Sequence, residues 1–259
     1  VAEQRKAERA DRGGVNIDLP ETEIEVEWHD GQPRVRCRAV EQESPSHDVV
    51  GELMVLTNRL MADFCDDHDI PVIYREQEPP EGELIDEEVE SQPEGLPRTF
   101  SILYKMKPSS MTLEPNYHFG LGLPRYAQTT SPIRRYGDLV CQRQIKAFLA
   151  DDPLPYDHDE MLQILATVEE TAREASRTQS ETQRYWILEY LRQRKDDGPM
   201  EATIIHHKND DGTLASIWLD DIAFKCNGRF RTSVPPGETA EVVVDRADPR
   251  QDELSIKQA

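Results

Sequence analysis

Arg134 and Arg135 are the residues of this chain best suited to chemistry, because they stand side by side in a run of unusual composition. Residues 117–143 read Tyr-His-Phe-Gly-Leu-Gly-Leu-Pro-Arg-Tyr-Ala-Gln-Thr-Thr-Ser-Pro-Ile-Arg-Arg-Tyr-Gly-Asp-Leu-Val-Cys-Gln-Arg. Ser131 followed by Pro132 predicts a helix start, with Ser as the cap and Pro at the first helical position. That places both arginines in the first turn, beside backbone N–H groups that already favour an anion. Paired guanidiniums behind a Gly-rich and hydroxyl-rich approach make a phosphate cradle, since the planar fork of Arg matches phosphate oxygens. Tyr117, His118, Phe119, Tyr126 and Tyr136 offer faces on which single-stranded bases can stack. The competing expectation is that the arginines pair with acids such as Asp138 and the aromatics are core. Taken singly the aromatics favour core; taken together the arginines favour phosphate.

The elements that must hold this run are readable on both sides of it. Residues 1–12 are charged and Ala-containing and predict the end of a helix, broken at Arg12-Gly13-Gly14. Ile24, Val26 and Trp28 alternate with acids, Asp30-Gly31 follows, and Val35, Cys37 and Ala39 alternate again; this predicts a hairpin with one buried face. Pro45-Ser46-His47-Asp48 opens a helix on which Val49, Val50, Leu53, Leu56, Leu60 and Phe64 recur at helical spacing. Residues 75–98 hold four prolines and an acidic run, predicting a loop or poorly ordered excursion. After a connection at residues 151–157, Met161, Leu165, Val168, Ala172, Ala175, Gln179, Thr182 and Trp186 form one stripe of a long helix. Its small, polar middle suits either a face toward a cavity or ligand, or a face toward solvent.

Asp196-Asp197-Gly198-Pro199 ends that helix and predicts a domain boundary. Beyond it, residues 202–205, 214–218, 222–226, 239–244 and 254–256 are short β-type runs separated by Asp-Gly, Asn-Gly and Pro-Pro-Gly turns. This spacing predicts a small barrel of the OB kind. Such barrels bind single strands through aromatics and cations on one face. Trp218 and Phe224 are better read as core, whereas Arg229 and Arg231, flanking Phe230 near a turn, are the better RNA contacts.

The formal net charge of −21 argues against a protein that coats polyphosphate nonspecifically. The charge is uneven, however. Nine acids lie between Glu76 and Glu94, whereas residues 115–150 carry Arg125, Arg134, Arg135, Arg143 and Lys146 against Asp138 alone. A local basic site inside an acidic shell suits a narrow channel better than an open basic face. Cys37, Cys65, Cys141 and Cys226 are widely spaced with no CxxC pair, predicting reduced thiols in a cytoplasm rather than zinc or disulfides. No apolar run is long enough to span a membrane, and the first residues, Val-Ala-Glu-Gln-Arg-Lys, offer no apolar signal segment.

The stretch from His118 to Arg143 resembles the signature of the ribonuclease II/ribonuclease R family, whose catalytic domain carries HFGLxLxxYxxxTSPIRRYxDLxxxR. Other parts agree in order. Arg12-Gly13-Gly14 with Asp18-Leu19-Pro20-Glu21 resembles RxGAxDxDLPE, and residues 46–54 with Asn58 resemble SxxLVEEFMxxAN. Residues 74–79 resemble YRxHExP, and the long helix with Tyr185-Trp186 is similar to the one that closes the catalytic domain. The resemblance covers nearly the whole chain. It implies an α+β fold: the C-terminal part of an RNB-type exoribonuclease domain over residues 1–197, then an S1/OB-type five-stranded β-barrel over residues 198–259.

The activity it implies is processive 3′-to-5′ hydrolysis of single-stranded RNA, releasing nucleoside 5′-monophosphates with Mg²⁺, by a cytoplasmic monomer with no membrane partner. By motif match Arg134 is the catalytic arginine that stabilises charge on the scissile phosphate. Arg135 is then a positioning contact and Glu52 a contact to the terminal nucleotide, with Tyr126, His118 and Arg143 as further RNA-binding residues. Three departures stand out. Gln142 and Gln77 each replace a His of the family pattern. The aspartate cluster DxxxAxDxDD that holds Mg²⁺ in the family has no counterpart here, so the metal ligands are expected outside this stretch. The run at residues 66–69 reads as a helix end rather than a metal site. A non-catalytic RNA-binding or scaffolding protein on a decayed nuclease fold is the alternative, and an acidic docking arm at residues 76–94 a third.

Overall fold

A computed structural model describes residues 2–40 and 44–259. Along the chain run α1 (Ala2–Asp11), β1 (Glu21–His29), β2 (Gln32–Val40), α2 (Pro45–Asp67), β3 (Tyr74–Glu76), α3 (Glu87–Glu90), α4 (Leu96–Lys105), β4 (Ser110–Thr112), α5 (Tyr136–Leu149) and α6 (His158–Gln193). Then come β5 (Met200–His207), β6 (Leu214–Leu219), β7 (Phe224–Arg229), β8 (Thr239–Asp248) and β9 (Glu253–Gln258). Two compact units divide these elements, each discontinuous in sequence. The first takes its described residues from Val1–Ile17, Glu43–Glu81 and Met106–Ala175, the second from Asp18–Gln42, Gly82–Lys105 and Ser176–Ala259. Among the described residues no helix is long and apolar enough to cross a membrane.

In the first unit α2, α5 and the start of α6 pack around β3 and β4. Ala62, Cys65, Val72, Tyr74, Val140, Cys141, Met161 and Val168 form its core. Ser44 caps α2 by accepting from the His47 N–H at 3.2 Å, with Pro45 at the helix start. The expected apolar stripe of α2 is corrected: Val49, Val50, Leu53 and Leu60 are exposed, while Glu52, Asn58, Ala62 and Cys65 are buried. Polar partners drawn from distant sequence explain the reversal. Arg9 of α1 grips the Glu52 carboxylate, and Lys6 pairs with Asp48 at 2.7 Å.

In the second unit the five last strands close a barrel in the order β5-β6-β7-β9-β8, antiparallel except where β7 and β9 run parallel. Ile204, Ile217, Leu219, Ile222, Val242, Val244 and Ile256 fill it, together with Ile187 and Leu191 from the end of α6. The hairpin β1–β2 turns at Asp30 and Gly31, both at positive φ, as a two-residue hairpin turn demands. Its polar face pairs Glu23 with Arg38, Glu25 with Arg36 and Glu27 with Arg34 in register. Ile24 and Cys37 on the other face pack against the barrel core.

Two further expectations are settled here. The run at residues 75–98 is ordered, not loose: Asp86 caps α3 by accepting from the Val89 N–H at 3.1 Å and also pairs with Lys105, and Val89 is fully buried. Glu76 accepts from Ser110 and Asn116, and Glu78 from Lys107, so several of its acids are engaged. In the middle of α6, residues 173–183 are all exposed, which matches the solvent-facing alternative. Each end of the helix is apolar because each serves a different core.

Candidate nucleic-acid interface

The segment leading to the two arginines is fixed by a chain of polar contacts. Arg75 of β3 donates its backbone N–H to the Tyr126 carbonyl at 2.8 Å. Asn58, buried on α2, donates to the Tyr126 hydroxyl at 2.8 Å and accepts from both the N–H and the hydroxyl of Thr129 at 2.9 and 3.1 Å. Gln142 donates to the Thr129 carbonyl at 2.6 Å. A buried amide with its hydrogen bonds made is costly to remove, so this network holds one backbone path.

The helix start lies four residues beyond the predicted one. Ser131 to Arg135 make one isolated turn, in which the Ser131 carbonyl accepts from the N–H groups of Arg134 at 3.2 Å and Arg135 at 3.0 Å. Helix α5 begins only at Tyr136, with Arg135 at its cap position and no side-chain capping bond. Asp138 causes the break. Only 2% exposed, its Oδ2 accepts from the Ser131 N–H at 2.8 Å and from Arg135 Nη2 at 2.7 Å, pulling the turn back onto the helix. The two arginines are therefore not equivalent. Arg135 is half-buried and carboxylate-paired, whereas Arg134 is exposed with only the Ser131 hydroxyl, at 3.5 Å, in contact. Among the described residues no carboxylate lies within ion-pair distance of Arg134.

The other expected contacts divide. His118 and Tyr126 meet edge to face at 5.7 Å, and burial with the charge of Arg75 pushes the His118 imidazole down to about 4. Burial likewise raises Tyr126, whose enclosed ring positions the segment and cannot stack on a base. The rings left open are Tyr117 and Tyr136. Glu52 is 5% exposed with both oxygens engaged by Arg9 at 3.2 Å, a structural tie between α1 and α2. Arg143 hydrogen-bonds Tyr156 at 2.9 Å instead of joining the Arg134 turn. The expected pairing of the arginines with Asp138 holds for Arg135 and not for Arg134, whereas sequence reasoning gave no role to Asn58 or Arg75. Their signal was a polar residue on an otherwise apolar helix face or short strand.

Backbone proximity explains the glycines. Gly122 has φ +61, and a Cβ there would stand 2.7 Å from the Gly14 nitrogen. Gln77, where the family pattern has His, accepts from the Gly120 N–H at 2.8 Å and donates to the Lys107 carbonyl at 2.6 Å. Gln142 on Thr129 and Gln77 on Gly120 and Lys107 each hydrogen-bond the backbone at the two departures from the family pattern.

No three His, Cys, Asp or Glu side chains among the described residues converge to hold a metal ion. In the run at residues 66–69, Asp66 pairs with Arg125, and His68 ends α2 with its Nδ1 on the Phe64 carbonyl at 3.1 Å. These residues do not fit a Mg²⁺ site. The four thiols are free, and burial pushes each up to about 12, which leaves them protonated and unreactive at neutral pH.

In the second unit Arg229 and Arg231 are exposed at the end of β7, with Phe230 buried between them. Trp218 is buried against Phe100 of α4, and Lys225 lies over the rings of Phe100 and Tyr104. A cavity of about 310 Å³ is lined by Tyr104, Arg184, His206, Lys208, Lys225 and Asn227 among others.

Residues 1–151, more than half the chain, match the family model described as RNB domain. The chain belongs to the RNB-domain family. An uncharacterized ribonuclease of Synechocystis sp. is 34% identical over 259 residues, covering 100% of this RNB chain and 38% of the relative. Ribonuclease II, chloroplastic/mitochondrial, of Arabidopsis thaliana is 32% identical over 253 residues, covering 96% of this chain and 31% of the relative. The RNB chain thus spans just over a third of the length of the one and just under a third of the other. Among solved structures, Mycoplasma genitalium RNase R in complex with ribose-methylated single-stranded RNA superposes with a TM-score of 0.75 at 18% identity, covering 100% of this chain and 48% of that one. At that identity the likeness speaks for the RNB fold.

Proposed function

We propose that this chain is the phosphate-binding and barrel-bearing part of a hydrolytic exoribonuclease. It acts processively from the 3′ end of single-stranded RNA and releases nucleoside 5′-monophosphates. The observation that carries this is the asymmetric arginine pair. Asp138 holds the turn at residues 131–135 and Asn58 the approach to it at Tyr126 and Thr129, and among the described residues Arg134 has no counter-charge within ion-pair distance. An exposed guanidinium on a fixed support is suited to meet charge developing on a phosphoryl group, and such contacts contribute several kcal/mol in phosphoryl transfer. Arg135 positions the strand, Tyr117 and Tyr136 offer faces to bases, and Arg229 and Arg231 of the barrel hold the incoming chain electrostatically. The names of the relatives, ribonucleases of bacterial and plant origin, support the same reading.

Residues 1–197 are assigned to the RNB-type catalytic part and residues 198–259 to an S1-type RNA-binding barrel, in a cytoplasmic monomer. Mg²⁺ is assigned to carboxylates outside these 259 residues, where it would activate the attacking water. A non-catalytic RNA-binding protein on the same fold is the second reading, favoured by the lack of a metal-binding cluster among the described residues. Incubating the intact protein with 5′-labelled single-stranded RNA, with and without Mg²⁺, separates them. The expected result is Mg²⁺-dependent shortening from the 3′ end with mononucleotide products. Binding without cleavage selects the second reading, and no binding refutes both.

A further inference from the structure

Besides Arg229 and Arg231, the barrel presents cations in a pocket, and strand pairing builds it. His206 of β5 lies opposite Ser216 of β6, and Ser216 opposite Asn227 of β7, one row across three strands. Side chains two apart on a strand share a face. Lys225 therefore joins Asn227, and Lys208 joins His206, because its N–H donates to the Leu214 carbonyl at 2.8 Å and extends the ladder. Tyr104 of α4 closes one side: its ring meets His206 edge to face at 5.6 Å, and its hydroxyl accepts from Lys225 Nζ at 3.3 Å. Arg184 of α6 adds to the lining of this cavity of about 310 Å³.

The lining reverses the trend of the chain. In a protein of net charge −21, Arg184, Lys208 and Lys225 meet here. Asp252 answers Arg184, and among the described residues no carboxylate lies within ion-pair distance of Lys208 or Lys225. Lys225 rests instead on the Phe100 and Tyr104 rings at 5.1 Å, and Lys208 is exposed. The excess is felt within the pocket: burial first, then the charges of Lys208 and Lys225, hold the His206 imidazole below its ordinary value. Cations gathered in a concave site repel one another and favour an anion. Three of them against one carboxylate match a phosphate monoester, at about −1.5 to −2, better than the single charge of a phosphodiester. The rest of the lining suits a nucleoside. Tyr104, 55% exposed, offers a ring to a base, and Asn227 an amide to a base edge. The volume, at the low end of roughly 300–1,000 Å³ for small-molecule pockets, suits one nucleotide and not a run of them.

We propose that this pocket seats one nucleoside bearing a phosphate monoester, either a free nucleoside 5′-monophosphate or the 5′-phosphorylated end of an RNA chain. The phosphate lies among Lys208, Lys225 and Arg184, and the base against Tyr104. The site goes beyond the exoribonuclease reading, because it recognises a phosphorylated terminus and not the bond being cut.

The test is photo-crosslinking of the intact protein without divalent cation. The probe is 4-thiouridine 5′-monophosphate, and labelled peptides are mapped by mass spectrometry. Label is expected on α4 near Tyr104 or on β5–β7, displaced by uridine 5′-monophosphate and not by uridine. Lys208→Met should raise the concentration needed for displacement about tenfold, as for loss of one charge-assisted contact, and Lys208→Arg should keep most of the affinity. Two further probes are a short RNA with 4-thiouridine as its 5′-phosphorylated first nucleotide and the same RNA without that phosphate. Label from the free nucleotide alone identifies a mononucleotide site, and label from the phosphorylated RNA a chain-end site; either supports the proposal. It is overturned by an unlabelled pocket, by uridine competing as well as its monophosphate, or by unphosphorylated RNA labelling as strongly as phosphorylated. A folded Lys208→Met with unchanged displacement overturns it too, and should that variant fail to fold, the probes on the unmodified protein decide. RNA cleavage by the same preparation once Mg²⁺ is added reports separately on the exoribonuclease reading.

Discussion

The two units handle cations in opposite ways. In the first, the arginine turn and its approach are supported by polar side chains: buried Asn58 and Asp138 and half-buried Gln142 hydrogen-bond the backbone of Thr129 and Ser131. In the second, Arg229 and Arg231 stand outside a barrel whose interior is apolar, and among the described residues the side-chain support beside them is Gln258 Oε1 accepting from the Arg231 N–H at 3.0 Å. The difference teaches where geometry matters. A group that must meet one phosphate at one angle needs a satisfied polar scaffold, because such a network admits few alternative conformations. A group that only holds a flexible chain near the surface needs charge and little else.

The sharpest way to break that comparison is to remove the support. Asp138→Ala strands Arg135 and frees the Ser131 N–H, and should cost about 3 kcal/mol in denaturant unfolding. A loss under about 0.5 kcal/mol, the size of an ordinary surface substitution, would show that the network supports nothing. A subtler effect is acid sensitivity. The His118 ring titrates at 6.5 when free and at about 4 in the fold. Between those values the unfolded chain takes up a proton that the native state refuses, so stability is complete above pH 6.5 and declines as pH falls toward 4. In the His118→Gln variant that acid limb should flatten in a plot of Tm against pH; an identical limb would contradict the burial of the ring. The smallest change belongs to the barrel. Arg229→Ala with Arg231→Ala should leave stability within about 0.5 kcal/mol. It should weaken RNA binding a few-fold and make the salt slope shallower by roughly 1.4 for two phosphate contacts. Unfolding of the barrel by this pair would erase the contrast between the units.

How much could be read from residues alone follows the same division. The barrel was legible because period-two alternation and the Asp-Gly and Pro-Pro-Gly turns are local signals; five strands lie near the expected runs, but Ile222 and Ala223 belong to a short turn before β7, and Asn227-Gly228, expected as a turn, lies inside β7. The hairpin β1–β2 was legible for the same reason. The arginine pair was also visible, and so was Asp138 as a candidate partner, but the geometry of the turn was not. Ser131-Pro132 does open a turn, yet Asp138, seven residues on, stops that turn from running into α5. Helix α2 misled more deeply, since Val49, Val50, Leu53 and Leu60 have core-like spacing and are exposed. Glu52 is buried because Arg9, 43 residues earlier, neutralises it. Periodicity reports on one helix and cannot see the partner that arrives from elsewhere. At residues 75–98 composition suggested disorder, whereas a cap at Asp86, its pairing with Lys105 and the burial of Val89 order the segment.

The central claim, that Arg134 is held ready for a scissile phosphate and is not part of the adhesive surface, is tested most directly by Arg134→Ala in the intact enzyme. RNA affinity and single-turnover cleavage are measured on the same oligonucleotide. Cleavage should fall by about 10²–10³-fold, as when one preorganised donor to a developing oxyanion is lost, while affinity changes by less than about threefold. Affinity and rate falling together by the same factor, or a rate left unchanged, would contradict it.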